Sequence, residues 1–303
     1  MSFRIGIDLG GTKIAAIVLD ASGVVQWESR IATPRHDYDR TIAAMADLVA
    51  AAEQAVGGRC TVGVGIPGTT SPATGLIKNA NSTWLIGRAL QRDLEARLAR
   101  VVRMENDANC FAVSEAADGA AAGAEVVFGV ILGTGTGAGV VVRGEVITGV
   151  NAIAGEWGHN PLPWPEADET PGPECYCGRR GCIETFLSGP GLAGDFARRG
   201  GGAASGEAIV ARASAGDPLA SACLDRWLSR LARGLASIMN VLDPDVIVIG
   251  GGLSRIDAIY QEVPRRWRPW VFSDEVVTRV LPAQFGDASG VRGAAWLWPP
   301  AAC

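Results

Sequence analysis

Three apolar runs in this chain each end directly in a glycine loop. Residues 3–9 run into Gly10-Gly11-Thr12-Lys13, residues 126–132 into Gly133-Thr134-Gly135-Thr136-Gly137, and residues 246–249 into Gly250-Gly251-Gly252. Glycine lets the backbone turn sharply and brings bare N–H groups close to a ligand. Phosphate is the ligand best matched to such groups at a strand end or helix start. Each loop alone reads equally as a plain turn, and none has the spacing of a P-loop or a dinucleotide fingerprint. Together, each after an apolar strand, they favour nucleotide binding on an α/β framework.

The pattern between the loops fills in that framework. Residues 3–9, 13–20 and 23–31 read as strands and 39–56 as a helix with Ile42, Met45, Leu48, Val49 and Ala52 on one face. A strand over 61–66, a helix over 90–100, a strand over 101–104 and a helix over 107–117 complete an α/β lobe with a mixed sheet. Strands over 126–132, 139–142 and 145–148, a long helix over 219–240, a strand over 246–249 and helices over 256–267 and about 290–298 form a second set. The second glycine loop repeats the logic of the first, so the lobes read as architectural duplicates. The expected division is 1–117 for a small lobe, on which a C-terminal helix at about 290–303 packs back, and 118–289 for a larger lobe.

The 303 residues, 48% hydrophobic, suffice for two modest domains sharing a cleft. A net charge of −5 argues against nucleic acid as a partner, because backbone binding needs clustered Lys and Arg. No basic segment leads into an apolar core at the N-terminus, and no run of about twenty apolar residues occurs, so neither a signal peptide nor a membrane span is expected. Seven cysteines, three in one loop, fit metal-bound thiolates in a reducing, cytoplasmic setting.

Those three cysteines carry the strongest local signal. Cys175, Cys177 and Cys182 follow His159, one of two histidines in the chain. One His and three Cys fill a tetrahedral zinc shell and leave no place for water, so a Zn²⁺ held in the 159–182 loop would be structural. Reactive thiols are the alternative. Glu156 and Glu184 flank the set, either as solvated glutamates or as fixed acceptors for polyol hydroxyls. Asn106-Asp107 stands where a strand gives way to a helix. Either residue suits a helix cap, yet strand ends are where α/β sites form, and phosphoryl transfer needs a carboxylate to receive a hydroxyl proton. Asp8, at a strand end before the first glycine loop, is placed to hold Mg²⁺ through water. Trp84 follows the polar run Lys78-Asn79-Ala80-Asn81-Ser82-Thr83 and suits a sugar pocket; Trp27, Trp227, Trp267 and Trp296 read as core, and His36 as surface.

In these motifs the chain resembles the ROK family of sugar kinases over essentially its whole length. The resemblance runs from Asp8-Leu9-Gly10-Gly11-Thr12-Lys13 through Gly65-Ile66-Pro67-Gly68, Asn106-Asp107-Ala108-Asn109, Gly155-Glu156-Trp157-Gly158-His159 and the Cys175–Glu184 run to Gly290-Val291-Arg292-Gly293. It implies duplicated actin/hexokinase-like (ribonuclease H-like) lobes with a cleft between them, and an ATP- and Mg²⁺-dependent transfer to a sugar 6-hydroxyl. It implies Asp107 as general base, and Gly68, Asn81, Asn106, Glu156, His159 and Glu184 at the sugar. Gly10, Gly11, Thr12, Lys13, Gly133, Thr134, Gly251 and Gly252 would surround the nucleotide. Residues 78–85 and 155–164 look most like the family's bacterial fructokinases, which implies fructose as the sugar, with mannose or glucose poorer; N-acetylglucosamine or N-acetylmannosamine kinases and glucokinases share the frame. The resemblance also implies a homodimer. Family repressors carry a DNA-binding head ahead of the first glycine loop, where this chain already begins a strand at residue 3.

Overall fold

The computed structural model describes residues 3–80 and 82–299, so Asn81 and Cys303 lie outside the described residues. In chain order the elements are β1 (Arg4–Leu9), β2 (Lys13–Leu19), β3 (Val25–Ala32), α1 (Tyr38–Val56), β4 (Thr61–Ile66), β5 (Thr69–Thr70), β6 (Ile77–Lys78), α2 (Leu90–Leu98), β7 (Val102–Asn106) and α3 (Asp107–Ala117). There follow β8 (Val126–Leu132), β9 (Thr136–Val142), β10 (Glu145–Val146), α4 (Glu184–Leu187), α5 (Gly189–Arg198), α6 (Gly206–Ser214), α7 (Pro218–Leu242), β11 (Val246–Gly250), α8 (Ala258–Arg266), β12 (Arg279–Pro282) and α9 (Ser289–Trp296). The chain divides into two compact units, one of residues 1–123, 139–154 and 287–303, the other of 124–138 and 155–286.

The first unit is built on a sheet of order β3-β2-β1-β4-β7. β1 runs antiparallel to β2 but parallel to β4, and β4 parallel to β7. The C-terminal ends of β1, β4 and β7 therefore share one edge, where sites form in such sheets. On one face Ile5, Ile7, Ile14, Val62 and Val64 pack with Met45 and Val49 of α1 and Leu90 and Leu94 of α2. Each such side chain contributes about 1.5–3 kcal/mol by leaving water. α1 starts at Asp37, whose Oδ1 accepts from the Arg40 N–H at 3.0 Å, and stops at Gly57 in the left-handed region. The last helix returns to this unit. A Cβ on Gly6 or Gly63 would lie 2.0 or 1.8 Å from a carbonyl oxygen of α9, and one on Gly293 would lie 1.6 Å from the Cys110 carbonyl oxygen. Bare backbone at these points is what lets α9 lie against β1, β4 and α3.

The second sheet has the order β10-β9-β8-β11-β12, with β8, β11 and β12 parallel. Val246, Ile247, Val248 and Ile249 are fully buried, the continuous apolar reading of a parallel strand covered on both faces. α7 is capped by Asp217, which accepts from the N–H groups of Leu219 and Ala220 at 2.9 and 3.1 Å. It buries Trp227, Leu231 and Leu235. Two of its arginines reach the 160–182 segment: Arg230 and Arg233 donate to buried Glu169 at 2.7 and 2.8 Å. Burial alone would raise the Glu169 carboxyl, but hydrogen bonds from Arg233 and Arg230 outweigh it and bring it down to about 2.

The two-residue strands β5 and β6, the helices α5 and α6, and the edge strand β12 go beyond what periodicity predicts. α5 and α6 carry little apolar contrast and are set by caps instead: Ser188 accepts from the Gly191 N–H and Ser205 from the Ala208 N–H. The expected helix over 256–267 is shorter, with a 3₁₀ turn at Gly252–Arg255 ahead of α8. Trp227 and Trp267 are core, whereas Trp27 and Trp296 are partly buried. Cys60, Cys110 and Cys223 are buried free thiols. No helix among the described residues is long and apolar enough to cross a membrane.

Candidate active site

At the C-terminal edge of the first sheet, strand register sets the acidic groups side by side. Asp8 pairs with Gly65, and Gly65 with Glu105; one step on, Ile66 pairs with Asn106. Asn106 ends β7 and caps α3, its Oδ1 accepting from the Asn109 N–H at 2.7 Å. Asp107 is the first helical residue, and its Oδ1 accepts from the Ala108 N–H at 2.8 Å. Asp8 is raised to about 6, first by burial and then by the negative charge of Asp107. The structure thus brings Asp8 and Asp107 together. Gly68 follows β4 with φ 137°, a conformation and a 2.8 Å approach to the Lys78 carbonyl oxygen that only glycine tolerates. Gly10 to Lys13 form a tight β1–β2 turn, the Gly10 N–H donating to the Lys13 carbonyl at 3.0 Å. Thr33 braces that turn, donating its hydroxyl to the Gly10 carbonyl at 2.7 Å and its N–H to the Thr12 carbonyl at 3.0 Å.

Sequence reasoning passed over Glu105. It accepts from the Asn109 amide at 2.8 Å and from the Thr148 hydroxyl at 2.6 Å, which fixes the strand end that carries Asn106 and Asp107. The Glu105–Asn109 spacing of four was the available signal. Gly290 was quoted only as part of a motif; a Cβ there would stand 3.7 Å from an Asp8 carboxylate oxygen, so the first turn of α9 backs that group. His36 is exposed but stacks edge-on against Trp84, ring centres 5.1 Å apart.

In the second unit Gly133, Thr134 and Gly252 line one cavity of about 540 Å³ with Gly189 and Pro190 at the start of α5 and Ser205, Gly206 and Glu207 at the start of α6. Gly251, at φ 81°, packs on the Leu132 backbone and so draws the β11 loop to the β8 loop. The α5 and α6 contributions had no sequence signal beyond their serine caps.

The metal loop is a knuckle. The Cys175 N–H donates to the Arg179 carbonyl at 2.8 Å and the Gly178 N–H to the Cys175 carbonyl at 3.0 Å, with Gly178 in the left-handed region. His159, Cys175, Cys177 and Cys182 bring one ligand atom each to within 4.8 Å of one another. His159 Nδ1 stands 3.6 Å from Cys175 Sγ, and Cys177 Sγ 3.6 Å from Cys182 Sγ. A tetrahedral ion with arms of about 2.0–2.3 Å separates its ligands by roughly 3.3–3.8 Å, so the four groups fit one. Burial holds the Cys175 and Cys182 thiols above their ordinary range, a cost that a bound cation would relieve. The other ring nitrogen of His159 faces the Tyr176 hydroxyl at 2.9 Å, a partner that the motif alone did not reveal. Tyr176 is raised by burial and then by Glu184 and Glu156, which places both carboxylates around this hydroxyl. Glu184 accepts from the Thr136 N–H at 2.9 Å.

The model of the ROK family matches residues 4–301. The chain belongs to the ROK family. It has that family's α/β actin/hexokinase-like fold, two mixed-sheet lobes with flanking helices. The N-acetyl-D-glucosamine kinases of Shigella boydii serotype 4 and Escherichia coli (strain K12 / DH10B) are each 43% identical to it over 296 residues, which is 96% of this chain and 98% of theirs. The ROK hexokinase of Thermus thermophilus superposes with a TM-score of 0.87 at 32% identity, covering 97% of each chain. The ROK glucokinase of Streptomyces griseus, solved with glucose and AMPPNP, superposes with a TM-score of 0.75 at 29% identity over 97% of this chain and 98% of that one.

The N-acetyl-D-glucosamine kinases overturn the resemblance to fructokinases drawn from residues 78–85 and 155–164, and with it the assignment of fructose. Those segments hold polar groups suited to hydroxyls that many hexoses share. They carry little information about the substituent at C2, which is where an N-acetylhexosamine differs.

Proposed function

We propose that this ROK-family chain is an ATP-dependent sugar kinase that phosphorylates the 6-hydroxyl of N-acetylglucosamine. The observation that carries the substrate is the 43% identity to N-acetyl-D-glucosamine kinases across 96% of the chain. The reaction type rests on the arrangement of Asp107, Asp8 and the glycine loops.

Asp107 accepts the proton of the 6-hydroxyl as that oxygen forms its bond to the γ-phosphorus. The bond from this phosphorus to the β,γ-bridging oxygen breaks, and ADP leaves with the electron pair. An ordinary aspartate titrates near ~4 and is ready to accept at neutral pH. The Asn106 oxygen is taken by the cap, so its contact with the sugar comes from the amide nitrogen. Gly68, Glu156, His159 and Glu184 complete the sugar contacts, with Asn81 a candidate among the residues not described. Gly10, Gly11, Thr12 and Lys13 in one unit, and Gly133, Thr134, Gly251 and Gly252 in the other, offer backbone N–H groups to the nucleotide. Asp8 would hold Mg²⁺ through water: a buried carboxyl raised to about 6 lacks positive charge nearby, and the ion would supply it while neutralising the phosphates. Zn²⁺ in the His159, Cys175, Cys177 and Cys182 set would fix the loop between His159 and Glu184.

The test is ADP release measured separately with each sugar. The highest kcat/KM is expected with N-acetylglucosamine, and lower values with N-acetylmannosamine, glucose, mannose and fructose. A higher value with glucose would keep the kinase and move the substrate to that of the Streptomyces griseus relative. ADP release indifferent to every sugar would end the kinase reading. We also propose that the chain pairs with itself. Trp164 stacked on Trp270 at 5.2 Å and a fully exposed Phe272 give the second unit an apolar surface for it, to be checked by sedimentation equilibrium.

A further inference from the structure

We propose that Glu184 is a positioning residue that lets the metal loop set the shape of the nucleotide loop at Gly133 to Thr136; this rests on the nucleotide reading above. Three neighbours of the metal ligands grip that loop. Gly158, just before His159, lies so close that a Cβ there would stand 2.0 Å from the Thr136 carbonyl oxygen. Glu184, two residues past Cys182, accepts from the Thr136 N–H at 2.9 Å. The Gly189 N–H, directly after α4 and Ser188, donates to the Gly133 carbonyl at 2.8 Å. The loop's own bond, Gly133 N–H to the Gly135 carbonyl at 3.0 Å, closes the turn between these grips.

Glu184 is tied in turn to the metal loop. It opens α4, and the next residue, Thr185, donates both its N–H and its hydroxyl to the Cys182 carbonyl, at 2.9 and 2.7 Å. The Ile183 N–H donates to the Asn160 carbonyl at 2.9 Å, beside His159. A shift of Cys182 therefore moves the carboxylate that holds Thr136. The fit explains Gly135 as well: a Cβ there would lie 2.7 Å from Glu184 Oε2, the oxygen that takes the Thr136 N–H. A carboxylate tethered between two ligand-bearing segments thus orders the N–H groups offered to phosphate before any sugar arrives.

The experiment is titration calorimetry of AMPPNP with Mg²⁺ into the zinc-loaded full chain, without sugar. Glu184→Ala should raise Kd about tenfold, the scale of one lost hydrogen bond to a charged group. Glu184→Gln keeps an acceptor oxygen and should stay within about threefold of the parent. Gly135→Ala pushes the carboxylate off Thr136 and should resemble Glu184→Ala, and it carries the test if that variant does not fold. In the Glu184→Ala background Gly135→Ala should add little, because the clash is gone; this non-additivity marks a direct coupling. Unchanged affinity in Glu184→Ala, an equal loss in Glu184→Gln, or strictly additive losses would each overturn the proposal. Failure of the unaltered chain to bind AMPPNP would instead bring down the nucleotide reading on which it rests.

Discussion

Asp107 occupies the first turn of α3, one residue inside the cap, and this separates two roles that its sequence position leaves joined. The cap belongs to Asn106. Asp107→Asn should therefore leave the melting temperature nearly unchanged, since only a helix-end charge effect of about 0.3–1 kcal/mol is lost. As the proton acceptor it should lower kcat by roughly 10²–10⁴-fold with sugar affinity kept. Steady-state kinetics beside calorimetry read both, and an active Asp107→Asn enzyme would move the base elsewhere. Asn106→Ala should show the complementary loss, about 1 kcal/mol of stability by chemical denaturation. Asp107, Asp8 and the four candidate metal ligands were legible because each is a chemistry-bearing type at a strand end or at ligand spacing. Glu105 and Tyr176 were not, because their meaning comes from Thr148 and from His159, partners that only the fold brings near.

Among the elements, the 160–182 segment has the least periodic sequence and the densest set of ties. It is held by Glu169 on Arg230 and Arg233 and, in the proposed state, by one Zn²⁺ per chain. Elemental analysis of protein purified without added metal should find that ion, and Cys177→Ala should lose it together with sugar affinity. Near-zero zinc with full activity would contradict the metal reading. Glu169→Gln leaves two buried arginines short of charge and should cost about 3–5 kcal/mol at neutral pH. The pH sign follows from the depressed carboxyl. With a folded value of about 2 against about 4.3 for a free glutamate, its stabilisation is complete above the higher value and is lost as pH falls towards the lower. Urea midpoints of the parent and Glu169→Gln should therefore converge between pH ~4.3 and ~2; a gap unchanged at pH ~3 would count against this network. Helices α5 and α6 were invisible for a related reason. Small residues and serine caps define them, and these leave no apolar stripe to read.

For the molecule, the strands and their glycine loops were readable because apolar runs stop sharply at glycine. The return of the chain's last helix to its first strands was readable only as a family resemblance. What makes it fit is glycine serving as missing volume, at Gly6 and Gly63 in the sheet and Gly293 in α9, and nothing in their local sequence distinguishes these from turn glycines. Gly293→Ala sets a methyl against the Cys110 carbonyl and should lower the melting temperature by roughly 5–10 °C, measured by scanning calorimetry. The central claim concerns what the assembled chain phosphorylates. The most direct measurement is a competition in one tube, with equal N-acetylglucosamine, glucose and fructose, limiting ATP and excess Mg²⁺, and the sugar phosphates counted by NMR. The account predicts N-acetylglucosamine 6-phosphate as the main product, in amount equal to the ADP formed. A product pool dominated by glucose 6-phosphate or a fructose phosphate, or ADP without any sugar phosphate, would contradict it.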